Sequence, residues 1–258
     1  MKTWRIITLT MLKEWKGVDS FLAIVLKIIT DAAKGAALAW IVYKSGNTES
    51  LAFLTIGVAL LAIWSGGSAF GGWALSRELE GKTMDHALIS RTSMPLLIYS
   101  QILAQIIYEI PSGIISGATV VVVVRSWPLI ANPPALIVSL MLAITGMIIV
   151  CVFIGALTVL AGARAGAMIG IIPFGAVLGG FILPVGNLPL GFEILARAVP
   201  SAWAMDGVWG SVGSSSWSSI LLSWTVSAAM CILWFFFTIY LCKVVEKRVR
   251  IEGSLSTY

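Results

Sequence analysis

Lys27, Asp31 and Lys34 interrupt an otherwise apolar run at spacings of i, i+4 and i+7. In a helix these positions share one face, so the carboxylate can neutralise one of the two ammonium groups. A charge at the centre of an apolar span costs ~2.5–3.5 kcal/mol on insertion scales, and a partner lowers that cost. Glu109 stands in a second apolar run, just before Pro111. A carboxylate there is either protonated or paired with a lysine of the first run, and Lys34 is the expected partner. The triad face is expected to line a polar interior or a contact between chains. The plainer alternative is that Lys27 snorkels to the nearer surface. Taken alone the triad carries a net positive charge, which suggests an anionic group on whatever it meets.

Other chemistry is scarce. The chain has one histidine, His86. That argues against paired-histidine metal sites, an intramembrane metalloprotease and a Ser-His-Asp hydrolase, and no catalytic residue or bound metal is expected. Gly81-Lys82-Thr83 resembles the end of a phosphate-binding loop. That loop needs glycine five positions before Gly81, where Ser76 stands, and a preceding strand. ATP chemistry would therefore have to come from another polypeptide. Cys151, Cys231 and Cys242 lie in apolar stretches without metal or disulfide spacing.

These residues sit in a chain that is 59% apolar and only 11% charged over 258 residues. Its mean hydropathy is +0.97. A soluble domain carries about 25% charged residues, so the apolar surface must meet a bilayer. Six runs are long enough to cross one: Phe21–Tyr43, Leu51–Leu75, about Pro95–Val124, Ala135–Ala161, Ala167 to about Val185, and Ile220–Cys242. Lysine and arginine flank them unevenly. Lys2, Arg5, Lys13, Lys16, Arg77, Lys82, Arg91, Arg164, Lys243, Lys247, Arg248 and Arg250 fall on one side, and Lys44, Arg125 and Arg197 on the other. This bias predicts both termini in the cytoplasm of a multi-pass cell-membrane protein. The formal charge of +5 thus reflects topology, and no nucleic acid partner is expected.

Two further segments are expected to lie along the membrane. Residues 2–16 place Trp4, Ile7, Met11 and Trp15 near one helical face, which predicts an interfacial helix. The segment lacks the unbroken apolar core and cleavage site of a secretion signal. Residues 183–215 hold Pro184, Pro189 and Pro200, which break any long helix, yet are too apolar for an aqueous loop. A broken, partly re-entrant pair of short helices on the outer side fits, with Trp203, Trp209 and Trp217 at the interface. Glycines spaced by four, Gly67/Gly71, Gly113/Gly117, Gly162/Gly166/Gly170 and Gly175/Gly179, predict close helix packing, within one chain or at a seam between two.

The most charged internal stretch, residues 76–95, lies between the second and third runs. Its residues 77–90 can form a short amphipathic helix with Leu79, Met84, Ala87 and Leu88 on the apolar side. Here the chain resembles the permeases of ABC-2 type transporters, whose pattern E-x-E-x-G-T-x-E-x-L-L is approximated by Glu78, Glu80, Gly81, Thr83, Asp85 and Leu88. Lys82 is inserted between Gly81 and Thr83, and His86 and Ala87 replace the usual apolar pair. The interfacial helix, six spans and the broken segment before the last span complete the likeness.

The resemblance implies an all-α polytopic membrane protein forming one transmembrane domain, with a cytoplasmic tail at 243–258. It implies a non-enzymatic permease subunit paired with a second, identical permease chain and docked on a separate ATP-binding cassette subunit that binds ATP and Mg. Glu78, Leu79, Glu80, Gly81, Thr83, Met84, Asp85 and Leu88 would form the coupling helix against that subunit. Lys27, Asp31, Lys34 and Glu109 would line a possible translocation path for an exported drug, peptide or lipid. The alternatives are a membrane scaffold or sensor that transports nothing, and a secondary transporter using Asp31 and Glu109 as proton carriers. The latter predicts internal repeats between halves, and none is evident.

Overall fold

The computed structural model describes residues 8, 21–45, 51–80, 93–161, 170–213 and 215–252. Among them there is no strand. The helices are α1 (Phe21–Ser45), α2 (Leu51–Glu80), α3 (Met94–Val124), α4 (Pro133–Leu160), α5 (Ile171–Leu178), α6 (Leu190–Arg197), α7 (Pro200–Val212) and α8 (Trp217–Glu252), with a 3-10 turn at Val185–Asn187. The helix expected at 2–16 lies outside the described residues, Thr8 excepted. So do His86, Gly162, Arg164, Gly166 and the end of the tail.

Among the described residues, four helical segments are long and apolar enough to cross a membrane: Leu51–Gly71, Met94–Val124, Pro133–Leu160 and Trp217–Arg248. Helix α1 has the length, at 25 residues, but carries Lys27, Asp31 and Lys34. Many outward side chains are apolar, as a bilayer requires: Ile114, Val122, Ile137, Met141, Leu222, Phe236 and Tyr240 are all exposed.

Helix α2 sits centrally, against α3 on one side and α4 on the other, while α1 packs mainly on α3. Helices α4, α7 and α8 form a second mutually packed group. Ala39 of α1, Leu51 and Val58 of α2 and Val120 and Val124 of α3 cluster at one end of the bundle. At the same end, the Asn132 N–H donates to Ser211 O, and Phe53 packs on Trp209. Helices α1 and α3 thus run toward this end, and α2 and α4 away from it. Arg248 of α8 donates to Leu160 O at the last turn of α4, where a cation meets unpaired carbonyls.

Several elements differ from the sequence expectation. The fifth run ends as a helix at Leu178, well before Val185. Gly180 takes φ +75, and N–H groups of Gly180 and Phe181 return to Val177 O and Ala176 O, a left-handed cap that stops the helix. The last span continues as one helix to Glu252, through much of the expected tail, because Val245 is buried and Arg248 is held on α4. The proline-containing segment is broken into short helices with prolines at their starts: Pro189 precedes α6 and Pro200 opens α7. Trp209 is buried against Phe53 rather than placed at an interface, because α7 is enclosed by α4 and α8. Trp217 is exposed.

Glycine spacing serves packing within the chain. Gly113 and Gly117 of α3 face Ala59 and Thr55 of α2. Gly67 faces Ile106 and Cys151, while Gly71 and Gly155 meet backbone to backbone. A Cβ on Gly155 would lie 2.5 Å from Gly71 O, a contact that only separating α2 from α4 relieves. Gly186, by contrast, has nothing within 4 Å of an added Cβ. Gly155→Val is therefore expected to lower the detergent melting temperature by many degrees, and Gly186→Ala by almost nothing. Comparable melting of the two variants would contradict this packing.

Candidate functional site

The four charged residues singled out from sequence converge where α1 crosses α3. The two helices run parallel and approach closely at Gly35, whose added Cβ would lie 2.7 Å from Ser116 O. Below that crossing the Lys27 ammonium donates to Glu109 Oε2 at 2.5 Å and to Asp31 Oδ2 at 3.0 Å. Lys34 donates to Asp31 Oδ1 at 2.9 Å. Glu109 therefore pairs with Lys27, not Lys34. Glu109 lies seven residues before Ser116 and Lys27 eight before Gly35, which puts them at one level. Lys34 stands about two turns higher, on the scale of 1.5 Å rise per residue.

Three polar residues join this network that the sequence reading did not name. Ser112 Oγ donates to Asp31 Oδ2 at 2.7 Å, Ser116 Oγ to Asp31 backbone O at 2.8 Å, and Gln105 Nε2 to Glu109 Oε1 at 2.6 Å. Their signal was present: Gln105, Glu109, Ser112 and Ser116 follow one another by four, three and four residues, one face of α3.

Both carboxylates are enclosed, Asp31 at 2% and Glu109 at 0% exposure. The lysine side chains are more open, Lys27 at 30% and Lys34 at 57%. Two lysines and two acids make the cluster neutral overall. The positive bias of the triad is thus cancelled by Glu109, and with it the suggestion of an anionic cargo. What remains is a satisfied ion-pair network that joins α1 to α3 and presents one ammonium, Lys34, outside the fold. Replacing Lys34 with Leu leaves Asp31 bonded to Lys27 and Ser112, so expression should persist while transport falls. Unchanged transport would remove Lys34 from the path.

A second polar cluster joins α6 and α7. Arg197 pairs with Asp206, sits 3.8 Å from Glu193 and stacks over the Trp203 ring at 4.5 Å. The Trp203 N–H donates back to Arg197 O at 2.9 Å. This fastens α6 to α7. Sequence reasoning used Arg197 only as a flanking charge.

Among the described residues no group of histidine, cysteine and acidic side chains is placed to hold a metal ion. Of the expected coupling residues, Glu78, Leu79 and Glu80 form the last turn of α2, directly continuing the span. Gly81, Thr83, Met84, Asp85 and Leu88 lie outside the described residues.

The model of the ABC-2 type transporter family matches residues 4–213, which include α1 through α7 and so the whole polar network. The chain belongs to the ABC-2 transporter family. No curated protein matches it. As an ABC-2 family protein it is a multi-pass membrane protein with a permease role, and association with an ATP-binding subunit is implied in general terms by that membership. The ABC-2 match ends at Gly213, just before α8, so the Lys27–Glu109 network belongs to the shared part and the long last helix lies beyond it.

Proposed function

We propose that this chain is the transmembrane subunit of an ATP-driven exporter of amphipathic molecules, such as a drug, peptide or lipid. The observation that carries the reading is the family match over residues 4–213. In this reading the chain has six spans, the four apolar helices together with α1 and the region ending in α5. Both termini face the cytoplasm of the cell membrane, in keeping with the lysine and arginine bias. A second identical permease chain completes the path. A separate cassette subunit binds ATP and Mg and performs hydrolysis, and this chain contributes no catalytic residue.

Coupling passes through residues 77–90. Because α2 runs unbroken to Glu80, a push on that segment moves a helix in contact with α1, α3, α4, α5 and α7. The α1 face with Lys34 is the part of the polar network nearest to a path between two chains. The ion pairs weigh against a proton-driven carrier, since Asp31 and Glu109 already hold lysines.

Co-purification in mild detergent with a candidate ATP-binding subunit tests the reading. A stable complex with ATPase activity responsive to the permease supports it. Failure to retain such a subunit overturns it in favour of a scaffold or an ion-driven transporter.

A further inference from the structure

The Lys27–Glu109 pair joins α1 to α3, but α2 controls its place. A Cβ added to Gly66 of α2 would lie 2.1 Å from Glu109 Cδ and 2.2 Å from Oε1. The carboxylate therefore fills the volume that any side chain at position 66 needs. Among the described glycines no other is approached this way by a charged group. A flexible side-chain end can usually swing aside at little cost. Here it is held at both oxygens, by Lys27 at 2.5 Å and by Gln105 at 2.6 Å, and is wholly buried.

We propose that Gly66 is a positioning residue for the transport cycle: its missing side chain is the slot that keeps Glu109 on Lys27, and the register of α2 against α3 decides whether that pair is held. The neighbours one turn away on this face are Ala62 and Phe70. Sliding α2 by a turn, about 5.4 Å, brings one of them into the slot. Either one expels the carboxylate and leaves Lys27 with Asp31 alone. Helix α2 also carries the start of residues 77–90, so a displacement at that end reaches the pair through one rigid helix. The mechanism rests on the permease reading above.

Two readouts test it. In the complex with its ATP-binding subunit, Gly66→Ala should lower the maximal ATPase rate by about fivefold or more with KM for ATP little changed. Combined with Glu109→Gln it should cost little more than either change alone, the non-additivity expected of residues in contact. An unchanged rate in Gly66→Ala, or fully additive losses in the double variant, overturns the proposal. Should Gly66→Ala fail to assemble, Glu109→Gln keeps the volume and removes the charge; it should lower the rate likewise, and a wild-type rate overturns the proposal. Melting of the isolated chain in detergent reads the same contact without a partner. Gly66→Ala should lower the melting temperature, and adding Glu109→Ala, which removes Cγ and the carboxylate from the slot, should lower it little further; fully additive losses count against the slot. Loss of the ATP-binding subunit from the wild-type preparation would instead defeat the permease reading and leave the melting result to decide the slot.

Discussion

Lys27→Met is expected to destabilise the chain by about 3 kcal/mol, the low end of the cost of breaking a buried ion pair by removing one partner. The low end applies because Lys27 is partly open, whereas Glu109 is not. Asp31 keeps Lys34 and Ser112, but Glu109 is left with Gln105 alone among its described partners. The double variant Lys27→Met/Glu109→Leu removes both charges and should regain most of that stability, because apolar replacement of a whole buried pair is often neutral or better. Transport should nevertheless stay low in the double variant if the network changes during the cycle. Thermal melting beside a transport assay separates the two effects. A double variant that is both stable and fully active would make the cluster purely structural.

Replacing Leu79, Met84 and Leu88 together with Ser should detach the ATP-binding subunit or leave its hydrolysis indifferent to the permease. Truncated apolar anchors at a protein interface commonly cost 2 kcal/mol or more, roughly a thirtyfold loss of affinity each. The permease itself should fold normally, because the change lies at and beyond the end of α2 and spares the packed glycine contacts of the bundle. Retention of the subunit on an affinity resin, measured with ATPase activity, checks both parts. Wild-type retention together with wild-type coupling would move the contact elsewhere on the chain.

The two expected results draw on different depths of information. The acidic and apolar pattern of residues 78–88 was visible directly, since it depends on local spacing and on resemblance. The pairing of Lys27 with Glu109 was not. Spacing along α1 showed that Lys27, Asp31 and Lys34 share a face, and burial logic showed that Glu109 needs a lysine. Choosing between Lys27 and Lys34 required the axial register of α1 on α3. That register is set by the Gly35–Ser116 crossing, a contact between residues 81 positions apart in the chain. The role of Gly66 was hidden for the same reason. A glycine in an apolar run reads as a generic packing site until a particular neighbour occupies its missing volume.

Composition and the length of the apolar runs by themselves determined that this is a helical membrane protein, because 11% charged residues cannot cover a soluble surface of this size. Proline positions likewise determined that residues 183–215 are broken into short helices, because the proline ring acts on the backbone locally. Only the tertiary structure decided that Trp209 is enclosed and that four separated charges form one neutral network. Each of these depends on which helix lies opposite at a given height, and in an apolar run nearly every face is compatible with burial, so hydrophobic pattern alone carries little information about the neighbour.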